Sequence, residues 1–436
     1  MPRKRRRRPN WPYRIAWLGI GLALLAYVGV QTASHAWSMG RRSYGIDWQL
    51  SFVASLFDAT IAVFFFVVGA CIGSFLNVVA YRLPLGRYIG GHSACPYCQT
   101  PIDGVDNVPF LAWIKLRGRC RTCRLPISIQ YPLIEISVAV VFLIVYLSEF
   151  ASGGANLPSI GNAVGRGGIL RVSITPTLVM RSFIYLFLLS SLIAAALIAI
   201  KRRRAPPSLF VWGALPLVCL ALIMPSTLVV PWRVAQGLGP VEARLDSFVT
   251  LLSGAVAGVA LARLLSPLAY PGFDRSLMSS DAMSSGARQF ILAMALAGAA
   301  VGWQSSVALV WCVVLCALVG ALAISWIFGS RHNEPSRLNK VEPYDLTVWV
   351  WLGLLLFRAN WSRINSLQLW PELLPEVARH VLGALLLAPA AWYVGKLLQQ
   401  SHNQALAVAS RQPQALASDP SQPQALAVGP SDEDDD

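Results

Sequence analysis

The chain runs to 436 residues, of which 55% are hydrophobic and 13% charged, with a mean hydropathy of +0.55. That balance excludes a water-soluble globular protein of this length and places the chain among membrane proteins. The basic excess of +15 is spread over short segments between apolar runs instead of gathering on one polar domain. It therefore sets orientation in a bilayer and argues against nucleic acid as a partner.

The N-terminus opens with Arg3, Lys4 and Arg5 to Arg8, followed by an apolar stretch at 13–32. It is too long for the apolar core of a secretory signal, and no small-residue cleavage site follows, so it reads as a retained anchor. Runs able to cross roughly 30 Å of hydrocarbon as a helix lie near 13–32, 54–80, 132–149, 179–200, 209–230, 248–270, 289–304, 307–328, 344–358 and 379–397. A very short turn at Trp303 and Gln304 divides the seventh from the eighth. The fold class is an all-α polytopic membrane protein with about eight to ten transmembrane helices.

Orientation follows from the loops. With the N-terminus inside, the inner segments carry Arg82, Arg87, Lys115, Arg117, Arg119, Arg121 and Arg124, then Lys201 to Arg204, then Arg331, Arg337 and Lys340. That is the positive-inside pattern, and it puts both termini in the cytoplasm. From Ser401 the composition shifts to Gln, Ala, Pro and Ser, with Gln-Ala-Leu-Ala recurring at Gln404, Gln414 and Gln424 before the acidic end Asp432 to Asp436. Such a segment cannot bury a core and reads as a disordered tail.

The eight cysteines divide in two. Cys71, Cys219, Cys312 and Cys316 lie in apolar runs, whereas Cys95-Pro-Tyr-Cys98 and Cys120-Arg-Thr-Cys123 share one polar segment, 82–130. Two C-x2-C knuckles with 21 residues between them can turn four thiolates toward one point, which suits tetrahedral zinc. Two disulfides are the alternative, but a cytoplasmic loop keeps its thiols reduced. With every position filled by sulfur, zinc on Cys95, Cys98, Cys120 and Cys123 is structural, and a loop this short depends on it to fold.

The order Gly73-Ser-Phe-Leu-Asn-Val-Val-Ala-Tyr-Arg-Leu-Pro84, the paired knuckles, Asn107-Val-Pro109, Trp113, Leu116-Arg-Gly-Arg-Cys120, Ile127-Ser128 and Tyr131-Pro-Leu-Ile-Glu135 resembles the N-terminal half of the bacterial type IV prepilin leader peptidase/N-methyltransferases. The resemblance implies a bacterial cytoplasmic-membrane enzyme. Its later membrane domain would be an aspartic endopeptidase cutting leader peptides of type IV prepilins and pseudopilins. Its zinc-bearing half would be associated with methylation of the new amino terminus by S-adenosylmethionine. Membrane lipid is the other partner.

The expected domains are 1–53, a basic N-terminus and a membrane anchor beyond those of the family; 54–149, the family-like N-terminal domain with its zinc loop; 179–328, the aspartic-peptidase-like domain; 329–400, further membrane helices; and the tail 401–436. The 179–328 segment departs from the pattern. Two-acid hydrolysis needs neighbouring carboxylates that share a proton. The family supplies them from an Ile-Asp followed by a Leu-Pro-Asp at the end of one helix and from a Gly-x-Gly-Asp-x-Lys at the start of another. Here Ala199 and Pro207 stand at the first region and Ala287 at the second, so no catalytic residue is assigned and the peptidase half is expected to be inactive. Between Met180 and Phe328 the remaining carboxylates are Glu242, Asp246, Asp274 and Asp281, all expected in loops. A displaced Asp274/Asp281 pair is the active-peptidase alternative, and a non-enzymatic membrane scaffold is the other. Glu135 is expected to pair with Arg82 or Arg117, and Asp58 to be interfacial.

Overall fold

The computed structural model describes residues 11–40, 48–95, 97–152, 176–201, 203–225, 239–270, 282–329, 345–366 and 396. Among them the chain is helical, and the only β pairing is two isolated antiparallel bridges, Ala94 with Pro101 and Arg119 with Pro126. The helices are α1 (Trp11–Gly40), α2 (Trp48–Arg82), α3 (Leu111–Leu116), α4 (Gln130–Val145), α5 (Pro176–Ile200), α6 (Pro207–Ile223), α7 (Pro240–Ala269), α8 (Ala282–Val301), α9 (Ser306–Gly329), α10 (Thr347–Ala359) and α11 (Trp361–Ser366). Hydrocarbon offers the backbone no hydrogen-bond partner, so apolar runs of this length satisfy their own N–H and C=O groups as helices. Among the described residues, five segments are long and apolar enough to cross a bilayer: Trp48–Leu85, Gln130–Phe150, Pro176–Ile200, Pro240–Ala269 and Trp303–Ala323. Helices α6 and α10 and parts of α1 and α8 are shorter apolar helices. The expected span near 379–397 and the 401–436 tail lie outside the described residues, except Lys396.

The turn at Trp303 and Gln304 is present as a 3-10 turn, Trp303–Ser305, entered through Gly302 at φ +77°. Two expectations are corrected. Glu242 and Asp246 belong to the first turns of α7 and not to a loop: Pro240 starts the helix and the Glu242 carboxylate accepts the Gly239 N–H, so Glu242 caps the helix start. Asp58 is buried, 2% exposed, within α2 instead of lying at an interface, because α2 begins at Trp48, well before the expected 54.

Helix pairs meet through small residues, the usual means of close approach where no hydrophobic effect drives helices together. Helix α2 lies on α4 at Gly69 and Gly73, where an added Cβ would stand 2.8 Å from the Ala139 and Glu135 Cα atoms respectively. Gly254 and Gly258 of α7 face Gly298 and Met294 of α8 as closely. Helix α10 joins the same body: Gly353 seats on Val313 of α9, and the Tyr185 hydroxyl of α5 donates to the Leu354 carbonyl at 3.0 Å. One continuous core includes Leu76 and Val138 of the first half, Leu189, Phe290 and Met294 of the second, and Leu354 of α10. Helix α10, beyond residue 328, thus packs into the same core as the helices before it.

Candidate metal centre and the membrane-domain site facing it

The polar segment between α2 and α4 folds as two matched knuckles. In each, the first cysteine N–H donates to the carbonyl five residues on, Cys95 to Thr100 at 3.0 Å and Cys120 to Leu125 at 2.9 Å. The residue after the second cysteine turns back through a left-handed backbone, Gln99 at φ +56° and Arg124 at φ +64°. Each tight turn delivers its cysteines to one side. Cys95 Sγ lies 3.8 Å from Cys123 Sγ and Cys98 Sγ 4.0 Å from Cys120 Sγ, and all four sulfurs fall within 4.8 Å of one another. A tetrahedral ion with sulfur bonds of about 2.3 Å sets its ligands about 3.8 Å apart, so the spacing fits a metal ion.

Hydrogen bonding to Thr100 pulls the Cys98 thiol down to about 6, and the backbone N–H groups of Cys123 and Thr122 lower Cys120. Burial and the crowding of the other three thiols push Cys123 up to about 11, so Cys98 and Cys120 are the thiols that most readily give the thiolate a metal binds.

Side chains around the knuckles hold the module in shape. Asp106 is clamped by Arg121 and by Lys115 at 3.6 Å. The Trp113 indole donates to the Ile127 carbonyl at 3.0 Å, and its ring closes over Gly118. At the membrane end, Arg82 spans the carbonyls of Ile89 at 3.2 Å and Gly90 at 2.6 Å. The expected ion pair of Glu135 with Arg82 or Arg117 is not what forms. The Glu135 carboxylate accepts the Phe110 N–H at 2.6 Å, because Phe110 turns through φ +44° and presents that N–H to the start of α4.

The end of the membrane bundle that faces the module is where the paired acids were expected. Ala199 and Ala287 are both buried, and Pro207 is the exposed first residue of α6. Asp274 and Asp281 lie outside the described residues. Sequence reasoning missed one acid, Asp345. Its Oδ1 accepts the Tyr270 hydroxyl at 2.6 Å and the Thr347 N–H at 2.9 Å, and its Oδ2 lies 3.4 Å from where Gly286 would carry a Cβ. Only its place just before an apolar helix hinted at it in the sequence. Among the described residues of this end, no second carboxylate is hydrogen-bonded to it.

At the opposite end, Glu149, Ser182, Tyr185 and Arg358 form a buried cluster that sequence reasoning also missed. Arg358 Nε lies 2.6 Å from Glu149 Oε1, its Cζ lies 3.8 Å from the centre of the Tyr185 ring, and Ser182 donates to Glu149 Oε2 at 2.5 Å.

A four-thiol module on an all-helical membrane bundle defines the class. Residues 67–149 match the family model of the bacterial peptidase A24 N-terminal domain. The chain is 47% identical over 87 residues to a prepilin leader peptidase/N-methyltransferase of Myxococcus xanthus, covering 20% of this chain and 26% of that protein. It is 28% identical over 317 residues to the Aeromonas hydrophila protein of the same name, covering 66% of this chain and 89% of that one. It is 38% identical over 118 residues to a type 4 prepilin-like proteins leader peptide-processing enzyme of Escherichia coli, covering 23% of this chain and 44% of the relative. The chain thus spans a quarter to under half of two of these three relatives. No solved structure matches the chain. Residues 67–149 thus match the bacterial peptidase A24 N-terminal domain, and the chain is similar to bacterial prepilin leader peptidase/N-methyltransferases.

Proposed function

We propose that this protein binds type IV prepilin or pseudopilin leader peptides at the cytoplasmic face of the bacterial inner membrane without cutting them, and that its N-terminal half keeps the amino-terminal methylation role. One observation carries the reading: buried alanines, Ala199 and Ala287, stand where a two-acid hydrolase requires carboxylates. Among the described residues, Asp345 at this end is tied to a tyrosine and a backbone N–H and not to a second acid. In the same reading zinc occupies Cys95, Cys98, Cys120 and Cys123 and clamps the knuckles, while S-adenosylmethionine supplies the methyl group.

The test uses the full-length protein in lipid nanodiscs. It is given an intact prepilin peptide and, separately, a pre-cut peptide with labelled S-adenosylmethionine. The expected result is binding of the intact peptide with no cleavage product by mass spectrometry, and label transferred to the cut peptide. A cleavage product that depends on Asp274 and Asp281 overturns the loss of proteolysis. Absence of both binding and transfer favours a scaffold.

A further inference from the structure

Arg203 is not a solvated anchor of the positive-inside kind. Such arginines normally extend their guanidinium into water, yet Arg203 folds back into the bundle. Its Cζ lies 5.9 Å from the centre of the Tyr81 ring, at the end of α2, and its Nη1 is buried without a hydrogen-bond partner. Gln289 of α8 fixes the turn by donating from Nε2 to the Arg203 carbonyl at 2.9 Å. Gln289 is itself only 5% exposed, and its Oε1 also lacks a partner. Lys201 stands next to them, its amine pushed below its ordinary value by burial and by the Arg203 charge.

The bundle thus gathers two cations and two unfilled hydrogen-bonding atoms at one corner, beside the end of α2. Among the described residues, the ion-paired acids, Asp106 and Glu149, are engaged elsewhere. Leaving a buried donor or acceptor unfilled is costly, and native structures rarely tolerate it without a ligand or ordered water.

From this geometry we infer a binding site for the phosphate of a phospholipid headgroup, built by Arg203, Lys201 and Gln289 between α2, α5 and α8. The guanidinium and amine meet the phosphate charge, and Gln289 Oε1 accepts from a headgroup hydroxyl. Position selects the lipid over other anions: α5 is a crossing helix that ends at Ile200, so Lys201 and Arg203 stand level with the headgroups, where basic pockets between transmembrane helices take anionic lipids. The site extends beyond leader binding and does not depend on it.

The test is native mass spectrometry of the full chain after reconstitution with phosphatidylglycerol or with phosphatidylcholine, which lacks the hydroxyl donor. The variants are Arg203→Met, Lys201→Met, Gln289→Leu and the control Arg288→Met, whose exposed side chain lies on the same helix as Gln289. The wild type and Arg288→Met are expected to retain phosphatidylglycerol through delipidation and not phosphatidylcholine, with retention in Arg203→Met and Lys201→Met weaker by roughly tenfold or more, about 1.4 kcal/mol. Should Arg203→Met fail to fold, Lys201→Met and Gln289→Leu carry the test. Equal retention by wild type and these variants, or equal loss in Arg288→Met, overturns the site. Thermal stabilisation by inorganic phosphate that Arg203→Met abolishes, with no lipid retained, upholds the phosphate chemistry and assigns its source to a soluble phosphate.

Discussion

Arg358 and Glu149 form a bidentate pair, Nε to Oε1 at 2.6 Å and Nη2 to Oε2 at 3.1 Å, between residues 209 positions apart in the chain. The pair ties α10, which follows the part of the sequence expected to form the peptidase-like domain, to the helical turn Tyr146–Phe150 that continues α4. Both side chains are nearly inaccessible, at 7% and 1%, so neither charge has water to fall back on. Truncating one partner strands the other, which costs about 3–5 kcal/mol for a buried pair. Glu149→Ala and Arg358→Ala are each expected to lower the thermal midpoint in detergent markedly. Glu149→Met with Arg358→Met should lose much less than the two single changes added together. A double variant as unstable as that sum would show that the groups act independently.

The knuckles were legible because C-x2-C spacing states its geometry outright: two turns of fixed length bring sulfurs to one point whatever surrounds them. The helices were legible because the apolar runs are long, and the turn at Trp303 because polar residues interrupt one. Contacts that depend on which helices become neighbours were not legible. Glu149 and Arg358 are single charges in separate apolar runs, and nothing local pairs them. Asp345 stands at the edge of an apolar run, and nothing local in the sequence announces that Tyr270 closes on it. Glu135 was assigned an arginine on charge alone, but the strained turn at Phe110 offered a nearer donor. Asp58 was misplaced because α2 starts six residues before the apolar run that marked it.

The four-thiol module should bind metal as a unit. Folding of so small a polar segment draws on the binding energy of the ion, on the order of 10 kcal/mol for a structural zinc site. Cys120→Ser removes a ligand and is expected to lower zinc content well below the wild-type stoichiometry in elemental analysis, and to expose residues 82–130 to protease while the membrane helices stay intact. Chelation of the wild type should reproduce that cleavage pattern. An unchanged zinc content in Cys120→Ser would refute the assignment.

Asp106 predicts an acid limit for the same module. Hydrogen bonding to Arg121, with Lys115 adding to it, holds the carboxyl below its ordinary value. A carboxyl depressed in the folded state contributes its full stability above the unfolded value near 3.8 and loses it as pH falls through the lower folded value. Asp106→Asn is expected to cost about 1–3 kcal/mol at neutral pH, as hydrogen bonds to charged groups do. The gap to wild type should close as pH drops below 4. Limited proteolysis of residues 82–130 as a function of pH measures both, and a gap that widens toward acid would contradict the sign.

Helix contacts through glycine predict a contrast between positions of identical chemistry. An added methyl at Gly73 meets the Glu135 Cα at 2.8 Å, and at Gly69 the Ala139 Cα at the same distance. In both cases the obstacle is backbone, which cannot rotate aside as a side-chain tip does, so α2 and α4 must separate. Gly21 in α1 has nothing within 4 Å of the same added atom. Overpacking a tight contact costs about 1–3 kcal/mol, while alanine in an open helix position gains up to about 1 kcal/mol over glycine. Gly73→Ala and Gly69→Ala should therefore lower the thermal midpoint, and Gly21→Ala should leave it unchanged or raise it. Gly73→Ala carries a further consequence, because Glu135, the residue it displaces, also holds the Phe110 N–H of the cysteine module. Zinc affinity should fall with Gly73→Ala but not with Gly69→Ala. Equal zinc affinity in the two variants would mean that the module does not sense the α2–α4 contact.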